Sequence, residues 1–327
     1  MVRDVHWRVT GLPRTNPTAV VICTYNRTDD CLFTLQTLAE NVEALLAVDA
    51  VHVIDQGDRT VESQPGFGRI KQLYGSKLRY RRQANLGGAG GFTRGLYEIT
   101  GESRAPGTNT LFMDDDILLE PDTVVRMSAF ANATVTPVIV GAQMMRLLHP
   151  SRFHVCAETA DLTPLRPGLP APGGLQNVDV TKTTQDLRVD ADYNAWWCCL
   201  LPPEIVAEIG YPLPMFLQWD DVEYGYRARN RGHATVALPG TAVWHADFDW
   251  KNEDEWIRYL SLRNGLIINA LHGDFQPAAS AKVARVLRPH AERDRPRPGP
   301  PRGVRLRLVR GAAGGLAGRL PGGHLRG

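Results

Sequence analysis

An unbroken apolar run, Ala19-Val20-Val21-Ile22-Cys23, has the pattern of a strand buried on both faces. Leu32, Leu35, Leu38, Val42 and Leu45 then recur at helical spacing. Thr28 is placed to cap that helix, and Asp29 and Asp30 lie where the helix dipole favours acid. The alternation continues. Residues 50–54 predict a second strand ending at Asp55, and 78–81 a weaker third. Residues 91–100 predict a helix with Phe92, Leu96 and Ile99 on one side, and 110–113 a fourth strand. Pro121 suits the start of a helix running to about Asn132, and 138–140 reads as another strand. Strands alternating with helices predict an α/β fold, a mostly parallel, Rossmann-like sheet with helices on both faces and ligands at the carboxyl ends of its strands.

Regularity fades in the second half. Several prolines and glycines make 159–185 a long excursion, 189–201 is extended and aromatic, and 220–229 and 253–272 predict helices. After Phe275 no hydrophobic period survives. The chain therefore divides into a lead-in (1–18), one catalytic-sized domain (19–275) and an arginine-, proline- and glycine-rich tail (276–327) expected to be disordered.

Composition narrows the function. With 43% hydrophobic residues the chain can bury a sizeable core, and its net charge of +2 gives no reason to expect nucleic acid as a partner. Five cysteines without CxxC or finger spacing read as reduced thiols. Neither a signal peptide nor a membrane-length apolar run is visible, so the expected location is the cytoplasm, with any membrane contact peripheral.

The chemistry-bearing residues cluster at predicted strand ends. Asp114-Asp115-Asp116 follows the fourth strand directly, and period-2 alternation puts Asp114 and Asp116 on one face. Two such carboxylates suit Mg²⁺ or Mn²⁺ bridging to substrate phosphates, although an acidic turn is the plainer alternative. Thr24, Tyr25 and Arg27 follow the first strand, and Arg27 offers a fork for phosphate. Asp55 could accept from a nucleoside; as isolated residues, all of these could equally be turn-formers. Asn85-Leu-Gly-Gly-Ala-Gly-Gly-Phe is dense in glycine before a helix, yet is neither a P-loop nor a dinucleotide fingerprint. Gln218-Trp-Asp-Asp-Val-Glu-Tyr224 sets an aromatic beside paired acids at a helix start, a combination suited to holding a sugar face and deprotonating a hydroxyl. His245 is a candidate third metal ligand or a structural histidine. Of the adjacent Trp196 and Trp197, one should face the core and the other could stack on an acceptor, unless both are core.

Together VVICTYNR (20–27), VIDQG (53–57), NLGGAGGFTRG (85–95), FMDDD (112–116), DYNAWW (192–197), WDDVEYG (219–225) and AVWH (242–245) resemble the GT-A glycosyltransferases of family 2. Within them the set is most similar to the actinobacterial galactofuranosyltransferases that polymerise cell-wall galactan, over roughly residues 17–272. The resemblance implies an inverting enzyme that uses UDP-galactofuranose and a lipid-linked galactan acceptor, with a divalent cation. It implies Arg27, Asp55 and Asn85 on UDP, with Thr24, Asp114 and Asp115 also on the donor side, and Asp114, Asp116 and His245 on the metal. It implies Asp221 as general base, and Trp196, Trp197, Trp219 and Asp220 on the acceptor side. Those enzymes also carry an N-terminal β-rich domain and a C-terminal helical region without counterpart here; the expectation of homo-oligomers attaches to those regions. A related hexosyl- or rhamnosyltransferase and a UDP-sugar-binding fragment are the competing expectations.

Overall fold

The structure, a computed structural model, describes residues 14–101, 107–183, 188–246 and 255–274. The expected tail, and all of the lead-in before residue 14, lie outside the described residues.

The first half follows the predicted alternation. β1 (Thr18–Thr24), α1 (Thr28–Glu40), α2 (Val42–Ala47), β2 (Ala50–Asp55), α3 (Phe67–Tyr74), β3 (Leu78–Arg82), α4 (Gly87–Thr100) and β4 (Asn109–Asp114) are succeeded by the short β5 (Ile117–Leu119), α5 (Asp122–Ala133) and β6 (Ile139–Arg146). The second half contributes β7 (Phe153–Val155), the hairpin β8 (Glu158–Asp161) and β9 (Arg166–Pro170), then β10 (Val189–Ala191), β11 (Cys198–Leu201), α6 (Pro203–Ile209), α7 (Asp220–Asn230), β12 (Thr235–His245) and α8 (Glu255–His272).

The main sheet runs in the order β10-β12-β6-β11-β4-β1-β2-β3, with β5 added on β12 and β7 on β6, while β8 and β9 pair as a separate two-stranded sheet. β3, β2, β1 and β4 run parallel, β11 runs antiparallel between β4 and β6, and β12 is parallel to β6. The sheet is therefore mixed α/β and mostly parallel. Alternation along β1 sends Val20 and Ile22 to one face, where Leu35, Leu38, Val124 and Met127 cover them. Ala19 and Val21 go to the other face, with Phe92, Leu96, Ile205 and Tyr224. Two apolar layers thus sandwich the sheet, which explains why its strands read as unbroken hydrophobic runs.

Three local departures from the sequence reading have identifiable causes. The long first helix breaks at Asn41, whose extended backbone lets its side chain accept from Ala44 N at 2.9 Å and cap a second helix. Thr28 is already helical, and Arg27 takes the N-cap position without a side-chain cap bond. The third concerns α4, which starts at Gly87 instead of residue 91: its glycines are packed against neighbouring chain. A Cβ on Gly91 would stand 2.1 Å from Cys23 Sγ, and one on Gly95 2.2 Å from Val21 Cγ1. Close helix–strand approach outweighs the poor helix propensity of glycine here.

Candidate active site

The parallel register aligns the carboxyl ends of three strands. Thr24 lies opposite Asp55, and Cys23 opposite Asp114. β4 stops at Asp114, so Asp115 and Asp116 belong to a turn that Thr34 of α1 braces by donating to Asp115 O at 3.2 Å. β5 then pairs antiparallel with the end of β12, which sets Ile117 opposite His245. That short pairing carries the imidazole to the aspartate turn. β12 itself is interrupted by a bulge at Pro239-Gly240, which hides most of it from a periodicity argument.

Asp114, Asp116 and His245 each offer one ligand atom, and these atoms all lie within 4.8 Å of one another. His245 Nε2 is 3.1 Å from Asp116 and 3.6 Å from Asp114. Its Nδ1 faces the carbonyl of Ala246 at 2.7 Å, and a carbonyl only accepts, so Nδ1 carries the proton. That contact orients the ring so that Nε2 is the atom turned toward the carboxylates, as in ligating histidines. Two carboxylates and one oriented imidazole fit a divalent cation on donor chemistry. Asp115 is different. Its carboxyl is buried, and burial together with the neighbouring Asp116 pushes it well above the carboxylate range.

Arg27 is engaged by the same turn. Its Nη1 is 3.1 Å from Asp116, its Nη2 3.0 Å from Asp30, and its Nε 3.8 Å from Asp115. The guanidinium therefore compensates the aspartate cluster at the place where the sequence suggested a phosphate contact.

A second acidic group faces the first. Asp220 and Asp221 begin α7, where the positive end of the helix favours acid. Burial pushes Asp221 up to about 6, and the charge of Asp114 adds to the rise. Asp220 is buried and raised as well, by desolvation and then by Asp221. Sequence reasoning missed a third member. Glu158 of β8 is buried, accepts from Ala195 N at 3.2 Å and Tyr193 OH at 3.3 Å, and is pushed up to about 8 by burial and the charge of Asp221. The only signal was one acid in the apolar stretch Cys156-Ala-Glu-Thr-Ala160, immediately before and into the segment 159–185 read as an excursion.

Several residues anticipated as ligand contacts are engaged within the protein itself. The Asp55 carboxylate is 1% exposed and accepts from Gly57 N at 2.9 Å, Val61 N at 2.8 Å and Tyr80 OH at 2.6 Å; it is the knot of its own loop, because three donors converge on it there. Thr24 is buried too, while Asn85 is exposed and caps the glycine turn by accepting from Gly87 N at 2.9 Å. Trp196 and Trp197 do point to opposite faces of the sheet, but both rings are core. Trp196 packs edge-on to Phe92, Phe112 and Tyr224, and Trp197 donates from Nε1 to Ala142 O at 2.9 Å. Both faces of this sheet are covered, so an outward-pointing ring meets a second apolar layer instead of solvent. Trp219 is likewise buried, donating to Ser261 Oγ at 3.0 Å. No disulfide joins the five cysteines.

A fold with acids gathered at the carboxyl ends of a mostly parallel sheet is the architecture of the GT-A glycosyltransferases. The comparisons with known proteins agree. Residues 13–263 match the family model described as glycosyltransferase like family 2, and the chain belongs to that family. It is 37% identical to galactofuranosyltransferase GlfT2 of Mycobacterium tuberculosis over 298 residues, 87% of this chain and 46% of that protein. It is 39% identical to the Mycolicibacterium smegmatis protein of the same name over 270 residues, 78% of this chain and 41% of that protein. The chain thus spans less than half the length of these curated relatives. Similar solved structures include GalNAc-T7 with UDP, GalNAc and Mn²⁺ (TM-score 0.57, 13% identity, 80% of this chain and 52% of that one). Another is the mannosyltransferase PcManGT of Pyrobaculum calidifontis with GDP-Man and Mn²⁺ (TM-score 0.52, 14% identity, 98% and 80%). At those identities they speak for the fold. Among the described residues no helix is long and apolar enough to cross a membrane.

Proposed function

We propose that residues 19–275 form the catalytic domain of an inverting galactofuranosyltransferase that moves galactofuranose from UDP-galactofuranose to a hydroxyl of a galactan acceptor. The observation that carries the reading is the convergence of Asp114, Asp116 and His245 within 4.8 Å at the sheet edge. Asp221 stands close enough for the charge of Asp114 to raise it.

Asp221 is the general base. A carboxylate held near 6 is mostly ionised at neutral pH yet still basic enough to take a proton as the acceptor oxygen attacks. In that single displacement the acceptor oxygen bonds to the anomeric carbon, its proton passes to Asp221, and the bond to UDP breaks with its electron pair leaving on the diphosphate. Asp114, Asp116 and His245 would hold Mn²⁺ or Mg²⁺, which supplies positive charge beside the pyrophosphate. Arg27 keeps Asp116 in place, and Glu158, largely protonated at neutral pH, offers a hydroxyl donor in the neighbourhood of Asp221. The cleft would work at the inner face of the plasma membrane on a lipid-linked acceptor, without a membrane span of its own among the described residues.

Incubation of the chain with Mn²⁺ and a short galactofuranose acceptor tests the donor. Product is expected from UDP-galactofuranose and none from UDP-galactopyranose or a dTDP-rhamnose donor; equal use of the last would reassign the chain to a sibling activity.

A further inference from the structure

The backbone leading into Asp221 is held in an uncommon conformation. Phe216, Gln218 and Trp219 have φ values of 70°, 65° and 67°, so three non-glycine residues in four positions occupy the left-handed region. Left alone, such a segment would relax toward ordinary extended or helical backbone. Its neighbours prevent that.

On one side α4 provides a seat. Ala89 N donates to Phe216 O at 3.2 Å, and Gly87 leaves the space that Phe216 needs, since a Cβ there would stand 1.9 Å from the same oxygen. On the other side α8 provides a clamp. Asn264 has no exposed surface, and its Nδ2 donates to the carbonyls of Met215 at 3.2 Å, Leu217 at 2.9 Å and Gln218 at 2.8 Å. Arg263 donates to Asn264 Oδ1 from Nε at 3.0 Å and from Nη2 at 2.8 Å, which fixes the amide with its NH₂ toward the loop. The same Nη2 donates to Met215 O at 2.7 Å. Gly265, one residue on, lets the Trp219 ring lie against the helix, where a Cβ would be 3.1 Å from Cζ2. One turn of α8 therefore reads out three successive features of the loop, and α7 starts immediately afterwards with Asp220 and Asp221.

We propose that Asn264, oriented by Arg263, is a positioning residue for glycosyl transfer: by holding residues 215–218 it fixes the direction in which α7 presents Asp221. The inference rests on the reading of Asp221 as the base. α8 is then part of the reaction apparatus, although none of its side chains need touch either sugar. It is tied to α7 a second time through His272 Nε2 and Glu223 at 3.1 Å, beyond the clamp on the loop.

Hydrogen exchange followed by mass spectrometry on the full chain reads the clamp without reference to activity. In Asn264→Ala, amides of 213–223 are expected to exchange about tenfold faster while those of β1 and β4 keep their protection. The same variant should lose roughly a hundredfold in kcat, with UDP affinity in Mn²⁺ unchanged, because a displaced base costs turnover and not donor binding. Adding Asp221→Asn should then cost nothing more than Asp221→Asn alone, the non-additivity of two groups acting as a unit. Arg263→Met, less buried, gives the same directions more weakly and carries the test if Asn264→Ala does not fold. Unchanged exchange in 213–223, or parental kcat beside an inactive Asp221→Asn, overturns the clamp. Parental turnover by Asp221→Asn overturns the base assignment instead, whatever the exchange data show.

Discussion

Arg27 Nη1 and Asp116 Oδ2 are 3.1 Å apart, with 33% and 7% of their side chains exposed. Asp116 thus has a cation on one side and the His245 ring on the other. Removing the guanidinium leaves a poorly solvated cluster of aspartates without its counter-charge. Arg27→Met is expected to lower the unfolding free energy by about 2 kcal/mol in metal-free buffer. Saturating Mn²⁺ should recover much of that loss, because a bound cation offsets the same carboxylates. Urea titrations with and without Mn²⁺ check this; a loss of equal size in both conditions contradicts a shared role for Arg27 and the cation.

As the proposed general base, Asp221 should set the pH dependence of turnover. Burial disfavours its charged form and so raises it to about 6, leaving the carboxyl ionised above that and protonated below it. kcat should therefore be flat from neutrality upward and fall as pH drops through 6, to roughly a tenth of its plateau at pH 5. Initial rates across pH 4.5–8 with saturating donor measure the limb. Full activity at pH 5 would show that another group takes the proton.

Trp196 distinguishes a core role from an acceptor role. Its ring packs against Phe92 at 5.4 Å, Phe112 at 5.0 Å and Tyr224 at 6.3 Å between centroids. Trp196→Ala should cost about 3–5 kcal/mol of stability. Trp196→Phe, which keeps most of the packing, should leave acceptor KM within about twofold, since the ring is packed within the core. A large rise in acceptor KM for the phenylalanine variant at parental stability would restore the stacking role.

Much of the fold was legible because buried parallel strands announce themselves. β2 emerges with its expected bounds, and β1 and β4 within a residue or two. The weak strand at 78–81 was harder to read because β3 is an edge with exposed arginines. Most of β12 was missed since Pro239-Gly240 breaks its period, although its last residues carry His245. At the site, alternation brought Asp114 and Asp116 together for a partly mistaken reason: the strand ends at Asp114, and a turn braced by Thr34 completes the approach. Both tryptophans are packed in the core because a two-faced core leaves no outward side, the alternative that alternation alone could not separate from stacking. The clamp of Asn264 on 215–218 has no local signature at all, for the two segments are more than forty positions apart and meet only in the folded chain.

The central claim is that Asp114, Asp116 and His245 bind the cation that accompanies the donor diphosphate. Calorimetric titration of UDP into the parent chain with Mn²⁺, and with EDTA in its place, should show binding that depends on the metal. In Mn²⁺, Asp116→Asn and His245→Ala should bind UDP at least tenfold more weakly than the parent. UDP binding of the same strength in EDTA, undiminished in both variants, would contradict it.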